Sequence, residues 1–167
     1  MSGPVLNVLF HGDVVGKGGR SAVRSLVPEL KREFNCQFVI VNAENCANGS
    51  GMTAACLKDM PEVDVFTSGD HTWDQKTFEQ EIRDIPNLVR PANFSRLQPG
   101  VGWRKFRNPA GGEIAVISLL GKVFMKESAY CPFETAEEIV KQLPLSCKCI
   151  IVDIHAEATS EKVSMGW

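Results

Sequence analysis

The sequence has little net charge and no long apolar run, and each absence excludes a class of protein. A formal net charge of −2 over 167 residues gives no basic surface for duplex nucleic acid or for an anionic membrane. No segment approaches the ~20 apolar residues of a membrane span, and the first residues lack a leader pattern. We therefore expect a cytoplasmic, single-domain protein whose partner is a small molecule.

Cysteine-pair motifs are also missing. The six cysteines include no Cys-x-x-Cys pair, which argues against a zinc ribbon or a thioredoxin-like site. We expect reduced structural thiols, as is usual for cytosolic proteins. Cys46, in a loop beside Glu44, has the best claim of the six to lie near a functional site.

A Gly-rich segment, residues 12–20, matches neither common nucleotide-binding fingerprint. Three residues, rather than the four of a P-loop, separate Gly12 from Gly16, and no Gly-x-Gly-x-x-Gly is present, which argues strongly against a Rossmann-like dinucleotide enzyme. Free N–H groups at a helix start still attract anions, so Lys17 and Arg20 are candidate substrate-binding residues. A flexible loop with solvated charges is the alternative.

Alternating strands and helices predict an α/β fold with mostly parallel strands covered by helices. The predicted strands are residues 5–11, 36–41, 63–66 and 148–155, with a hairpin-like pair at 102–107 and 113–119. The predicted helices are residues 20–34, 54–60, 75–85 and 134–143. Thr53 and Asp74 are the expected N-caps of the second and third helices. Beyond residue 155 the sequence predicts no further element.

Four predicted strands are each followed by ionisable or metal-binding side chains. In chain order these are Asp13, then Glu44 and Asn45, then Asp70 and His71 after the turn at Ser68-Gly69, and finally His155. The carboxyl ends of parallel strands converge on one crevice, which is where α/β folds place their chemistry. One such residue is usually a cap or a satisfied polar group, but four coincidences at one edge favour a functional site.

Oxygen and imidazole ligands without thiolates suit divalent Mn, Fe or Zn. Carboxylates can bridge two such ions ~3.5–4 Å apart, which activate water for in-line attack on phosphorus. A histidine beside the metals that does not bind them can protonate the leaving oxygen. This division of roles predicts a metal-dependent phosphoester hydrolase.

The motifs around these residues closely resemble those of the YmdB-type phosphodiesterases, which belong to the calcineurin-like metallophosphoesterases. The motifs are Gly12-Asp-Val-Val-Gly, Asn42-Ala-Glu-Asn, Gly69-Asp-His-Thr-Trp-Asp, Arg90-Pro-Ala-Asn and Asp153-Ile-His-Ala-Glu-Ala-Thr-Ser-Glu-Lys. The resemblance implies a layered α/β/β/α sandwich, a dinuclear metal site and hydrolysis of cyclic nucleotide phosphodiesters. It further implies that His71 is the catalytic acid contacting the phosphate. The implied metal ligands are Asp13, Glu44 as the bridging residue, Asn45, Asp70 and His155.

The chain departs from the pattern of that family in two places. Family members have Asn where this chain has Asp70, and the added negative charge could tighten metal binding and repel phosphate. The family also continues to a Gly-Thr-His-Thr-His motif with two more histidine ligands, whereas this sequence has three histidines in all, His11, His71 and His155. We therefore expect residues 1–167 to be the N-terminal portion of a metallophosphoesterase domain, truncated at its C-terminus. A catalytically impaired metal- or nucleotide-binding protein is the alternative function.

The sequence allows two interpretations for the segment 157–162 and two for the tryptophans Trp73 and Trp103. It also leaves open whether the protein forms a homo-oligomer. Residues 157–162 either line the site or form a solvated loop. Trp73 and Trp103 either stack on a base or pack in the core, and packing is the more common role.

Overall fold

Seven strands form two sheets in the computed structural model, which describes residues 5–109, 111–127 and 129–167. The first sheet is parallel throughout, in the order β1-β2-β3-β4, and the second has the order β5-β6-β7. The strands are β1 Val8–His11, β2 Phe38–Asn42, β3 Val65–Thr67, β4 Leu88–Val89, β5 Trp103–Arg107, β6 Glu113–Leu120 and β7 Cys147–His155. The pair β5 and β6 is antiparallel, which confirms the predicted hairpin, and β6 and β7 are parallel.

Five α-helices connect and cover these strands over the described ranges. They are α1 Gly16–Glu33, α2 Ala54–Lys58, α3 Phe78–Glu81, α4 Pro132–Gln142 and α5 Thr159–Met165, with short 3₁₀ helices at Asp70–Trp73 and Ile82–Asp84. None of these helices has the length and apolar composition needed to cross a membrane.

Alternating side chains on β2 show how the layers stack. Val39 and Val41 are buried with Val27 of α1 on the outer face of the first sheet. Phe38 and Ile40 point the opposite way, into a core shared with β6 of the second sheet. This alternation follows from the two-residue period of a strand, and it makes both faces of the first sheet apolar.

The strand β6 repeats the same arrangement from the other side. Ile114 and Val116 enter the core between the sheets, whereas Ile117 and Leu119 pack with Ile139 of α4. Three apolar layers therefore lie between helix and sheet, between sheet and sheet, and between sheet and helix. The predicted α/β fold with a layered α/β/β/α arrangement is confirmed.

Helix α1 begins four residues earlier than predicted, at Gly16 instead of Arg20. Glycine disfavours helix, which is why the sequence placed the start after the Gly-rich segment. Tertiary contacts override that preference, because the Gly16 N–H donates to the Asn45 carbonyl at 2.9 Å. Gly19 also packs so closely on Val14 that a Cβ there would lie 2.9 Å from its Cγ1 atom.

The predicted helix over residues 75–85 is wrong in its extent, and Asp74 does not cap it. The segment contains only α3 and the 3₁₀ helix Ile82–Asp84, and Thr77 occupies the position before α3. The Asp74 carboxylate binds His71 instead, since a carboxylate can accept from an imidazole as readily as from a helix N-terminus. Thr53 is confirmed as an N-cap, because its hydroxyl accepts the Cys56 N–H at 3.2 Å.

The residues after β7 form an element that the sequence did not predict. Helix α5 begins at Thr159, and its Glu161 is buried. The two carboxylate oxygens of Glu161 accept the N–H groups of Lys122 and Val123 at 2.9 and 3.1 Å. Because Glu161 ties α5 to the loop after β6, this segment is not a solvated loop.

The Arg90 side chain organises the irregular segment between β4 and β5. It is buried, and its guanidinium donates to the carbonyls of Pro91, Ser95, Gln98 and Pro99 at 2.8–3.3 Å. Burial lowers the pKa of Arg90, but four carbonyl acceptors compensate for the lost hydration. Arg90 therefore holds the loop in place of regular secondary structure.

We expect Arg90→Met to lower the free energy of unfolding by about 2–4 kcal/mol, because buried carbonyls lose their donors. Urea denaturation followed by circular dichroism measures this change. Arg96→Met is the matched control, since the Arg96 side chain is 88% exposed and its ion-pair partner Glu138 is itself exposed. We expect a change below about 0.5 kcal/mol there, and equal losses in the two variants would contradict the role given to Arg90.

Candidate metal centre

The carboxyl ends of β1, β2 and β3 and the end of β7 carry the predicted site residues. Asp13 lies two residues after β1, Glu44 and Asn45 follow β2, and Asp70 opens the 3₁₀ helix after β3. His155 is the last residue of β7 in the second sheet. The site is therefore assembled where the same ends of two stacked sheets meet, rather than within one sheet.

Three of these side chains converge. His155 Nδ1 lies 2.7 Å from Glu44 Oε1, and His155 Nε2 lies 3.4 Å from Asp70 Oδ1. One potential ligand atom from each residue lies within 4.8 Å of the other two. The hydrogen bond to Glu44 raises the pKa of His155, and the charges of Asp70 and Asp153 act in the same direction. Two carboxylates flanking one imidazole make a strongly electronegative pocket.

The donor set fits a divalent cation. Asp70 Oδ1 is buried and accepts no hydrogen bond, although the nearest imidazole nitrogens, of His155 and His71, lie 3.4 and 3.8 Å away. A buried carboxylate oxygen without a hydrogen bond is costly, and a bound cation would satisfy it. Oxygen and imidazole donors together suit Mn²⁺, Fe²⁺ or Zn²⁺.

Glu44 is held firmly at the centre of this group. Its side chain is 1% exposed, and its Oε2 atom accepts the His71 N–H at 3.3 Å. A Cβ at position 69 would lie 2.5 Å from both carboxylate oxygens, so only glycine can occupy that position beside Glu44. The turn Ser68-Gly69 therefore reverses the chain and also leaves room for the Glu44 carboxylate.

Asp13 and Asn45 form a second part of the site. Asn45 Nδ2 donates to Asp13 Oδ1 at 2.8 Å, which leaves the amide oxygen of Asn45 as its potential ligand. Asp13 has a φ of 41°, a strained conformation for a residue with a side chain and one often found at functional sites. A cleft of about 370 Å³ brings Asp13 together with Glu44 and His155.

His71 lies at the edge of the cluster and is oriented by Asp74. Its Nδ1 atom lies 2.6 Å from Asp74 Oδ2, and Ser50 Oγ lies 3.3 Å from the same nitrogen. Burial acts to lower the pKa of His71, but the hydrogen bond to Asp74 and the nearby carboxylate charges outweigh it, so the pKa is raised. The side chain is 40% exposed, so the imidazole can reach a ligand.

The two predicted basic residues differ in their surroundings. Arg20 Nε donates to Asp59 Oδ2 at 3.0 Å, and its Nη1 atom donates to the Cys46 carbonyl. Arg20 therefore ties α1 to the loop after β2. Lys17 is exposed in the first turn of α1. Their role in substrate binding stays a prediction.

Sequence reasoning missed Asp153 and the role of Asp74. Asp153 lines the cleft, and so do Glu157 and Lys162, which belong to the segment 157–162 that the sequence offered as a possible lining of the site. Strand alternation could have found Asp153, because it lies two residues before His155 and shares its face. The contact between Asp74 and His71 was overlooked because Asp74 was predicted to be a helix N-cap.

Cys46, Trp73 and Trp103 take packing roles. Burial raises the pKa of the Cys46 thiol to about 12, so it stays protonated and is a poor metal ligand. Trp73 packs against the core of the first sheet, and Trp103 packs against the core beneath α4. The core interpretation of both tryptophans fits this arrangement better than base stacking.

Comparison with known families gives a match to the family model described as "YmdB-like protein", over residues 9–167. The chain belongs to this family. The family predicted from the sequence motifs is therefore confirmed, and the matched range includes every candidate site residue.

Individual relatives agree with that membership. The chain is 42% identical, over 164 residues, to the 2',3'-cyclic-nucleotide 2'-phosphodiesterase of Bacillus subtilis strain 168, covering 97% of this chain and 61% of that protein. A crystal structure of a novel phosphatase from Mycoplasma pneumoniae superposes with a TM-score of 0.87 and 34% identity, covering 96% of this chain and 58% of that one. A hypothetical protein from Thermus thermophilus gives a TM-score of 0.84 and 29% identity, covering 95% of this chain and 61% of that one. The chain thus spans about three-fifths of the length of each of these relatives.

We expect Mn²⁺ or Zn²⁺ to raise the melting temperature of the protein and Glu44→Gln to abolish that increase. A ligand at about 100 times its Kd stabilises the folded state by about 2.7 kcal/mol. Glu44→Gln keeps the shape of the side chain but removes the negative charge from the centre of the ligand group. Differential scanning fluorimetry with and without metal measures the effect.

Glu79→Gln, on the exposed surface of α3, is the matched control and should keep the full increase. The metal-induced difference, not the melting temperature itself, is compared, so any loss of stability in the variant cancels. The same increase in Glu44→Gln and in the unsubstituted protein would show that the cation binds elsewhere.

Proposed function

We propose that this chain supplies the metal-binding and proton-donating groups of a metal-dependent phosphodiesterase that hydrolyses cyclic nucleotide phosphodiesters. The observation that carries the proposal is the convergence of Glu44, Asp70 and His155 into one ligand group, beside a cleft that Asp13, Glu44 and His155 line. The cleft occurs in a chain that is 42% identical to a protein named 2',3'-cyclic-nucleotide 2'-phosphodiesterase. Its volume, about 370 Å³, suits a small molecule.

The proposed ligands are those predicted from the sequence, and they would hold two divalent ions of Fe, Mn or Zn. Glu44 would bridge the ions, with Asp13, Asn45, Asp70 and His155 as the remaining ligands from this chain. These residues would hold the ions where Lewis-acid activation of the phosphoryl group and of a water molecule would be supplied. Asp70 adds a negative charge where the family pattern has Asn, which strengthens cation binding and weakens phosphate binding.

His71 is the proposed general acid. Asp74 accepts from Nδ1, which leaves Nε2 as the atom that delivers a proton to the leaving oxygen. The raised pKa of His71 keeps more of the imidazole protonated at neutral pH. Asp74 holds the ring in one orientation, as a buried carboxylate does for the histidine of a catalytic triad.

A metal- or nucleotide-binding protein without turnover is the second candidate. It is favoured by the donor count, because the described residues bring three His, Asp or Glu side chains into one ligand group, enough for a single ion. This candidate predicts stabilisation by metal or nucleotide without hydrolysis.

The deciding experiment is hydrolysis of bis(p-nitrophenyl) phosphate with Mn²⁺, Zn²⁺ or Fe²⁺ present and after chelation. We expect turnover that needs the metal and that Asp13→Ala reduces at least about 100-fold, because the nucleophilic water loses its activation. Asp84→Ala is the matched control, because Asp84 is an exposed carboxylate at the end of the second 3₁₀ helix. Metal-independent turnover would exclude the phosphodiesterase, and metal binding without turnover would favour the second candidate.

We expect His71→Gln to lower kcat by about 10²–10⁴-fold, the range for loss of a general acid. Asp74→Asn should lower kcat less, because the imidazole remains but loses its orientation. Both variants should keep the metal-induced increase in melting temperature, since neither residue belongs to the proposed ligand set. Steady-state kinetics together with scanning fluorimetry measure the two effects, and loss of the thermal shift in His71→Gln would instead identify His71 as a ligand.

A further inference from the structure

Asp153 lies at the junction of the two sheets, and its carboxylate holds both sheets together. On β7 it pairs in register with Ser118 of β6. Its Oδ2 atom accepts the Asn42 amide at 3.2 Å and the Thr67 hydroxyl at 2.5 Å. Asn42 and Thr67 are the buried last residues of β2 and β3. One carboxylate of the second sheet thus binds the carboxyl ends of two strands in the first sheet.

These contacts lead directly to the metal centre. The Asn42 side-chain amide links Asp153 to Glu44. Its nitrogen donates to Asp153, and its oxygen accepts the Glu44 N–H at 3.2 Å. Two residues after Asp153 on the same face of β7, His155 Nδ1 lies 2.7 Å from Glu44 Oε1. The spacing between the β2 loop and β7 is therefore held at two adjacent points, one through Asp153 and one through the ligand pair itself.

Asp153 does not share the role of the ligands. Its Oδ2 atom is already used by two donors. Side chains that hydrogen-bond the elements carrying metal ligands, without binding the metal, commonly fix the orientation of those ligands.

We propose that Asp153 is a positioning residue of the metal centre, which sets the spacing between Glu44 and His155 by fixing β7 to the ends of β2 and β3. The proposal rests on the metal site of the proposed function. It assigns to the first residue of the Asp153-Ile-His155 segment a role separate from metal ligation.

Two substitutions separate hydrogen bonding from charge. Asp153→Ala removes the acceptor, whereas Asp153→Asn keeps an oxygen that can accept from Asn42 and Thr67 but carries no charge. Asp64→Ala is the matched control, because Asp64 also ties the first sheet by accepting a backbone N–H, that of Val39 at 2.7 Å, but from the residue before β3, at the opposite end of the strand. Each variant is tested as the full chain.

The first readout is Mn²⁺ affinity by isothermal titration calorimetry. We expect Asp153→Ala to weaken binding by about 10-fold or more, the usual effect of losing a residue that orients ligands. Asp153→Asn should stay within about threefold of the unsubstituted protein, and Asp64→Ala within about twofold, since neither loses the hydrogen bonds beside the site. Unchanged affinity in Asp153→Ala would overturn the proposal, as would equal weakening in Asp153→Asn or in Asp64→Ala.

The second readout needs no metal, so it separates this proposal from the proposed function. In metal-free protein, ¹H–¹⁵N NMR detects the His155 Nδ1–H that is hydrogen-bonded to Glu44. We expect this signal in the unsubstituted protein and in Asp153→Asn, and its loss or a shift in Asp153→Ala. If the unsubstituted protein binds no Mn²⁺, the proposed function fails while this comparison still decides the role of Asp153; an unshifted signal in Asp153→Ala would overturn that role.

Discussion

The contact between Glu44 and His155 is the interaction on which the architecture of the site depends. It joins residues 111 positions apart in sequence, one after a strand of the first sheet and one at the end of a strand in the second. The strands that carry these two residues, β2 and β7, belong to separate hydrogen-bonded sheets, and the isolated bridge that links the sheets joins Pro91 to Ser118 instead. Side chains must therefore maintain the geometry that backbone hydrogen bonds maintain within a sheet. The apolar core between the sheets sets their separation, and polar contacts at the rim set their register.

A ring of polar contacts around that pair explains why so many buried polar side chains are tolerated there. Asn42, Thr67 and Glu44 are buried at the carboxyl ends of the first sheet, where desolvation would penalise them without partners. Each of them has a partner across or along the junction. Gly69 allows these polar groups to pack closely, because a side chain at position 69 would collide with the Glu44 carboxylate. Asp70 differs from them, because its Oδ1 atom is buried and accepts no hydrogen bond, and this observation supports the proposed cation.

The motifs shared with the YmdB-like family divide into two kinds of physical role. Residues at and after the ends of β1, β2 and β7 line the cleft, and Asp70 after β3 lies beside His155, whereas the Arg90-Pro-Ala-Asn motif organises the loop after β4. Arg90 donates to four loop carbonyls, and Asn93 binds Leu120 through both its amide oxygen and its amide nitrogen. Motif membership alone therefore does not place a residue at the chemistry. Burial and the identity of the bonding partners make that distinction.

Local chemistry in the sequence was enough for the order of strands and helices, the hairpin, the Thr53 cap and the candidate ligands that follow the strands. These depend on side-chain period and turn preference, which act over a few residues. Tertiary structure alone decided that α1 begins at Gly16 and that Asp74 binds His71 instead of capping a helix. It also decided that α5 forms, with its Glu161 bound to the loop after β6. It also decided that Asp153 joins the two sheets beside the ligands. Each of these features depends on a partner distant in sequence or on a competition between two local hydrogen-bonding arrangements. A local sequence pattern contains no information about which partner the packing brings within bonding distance.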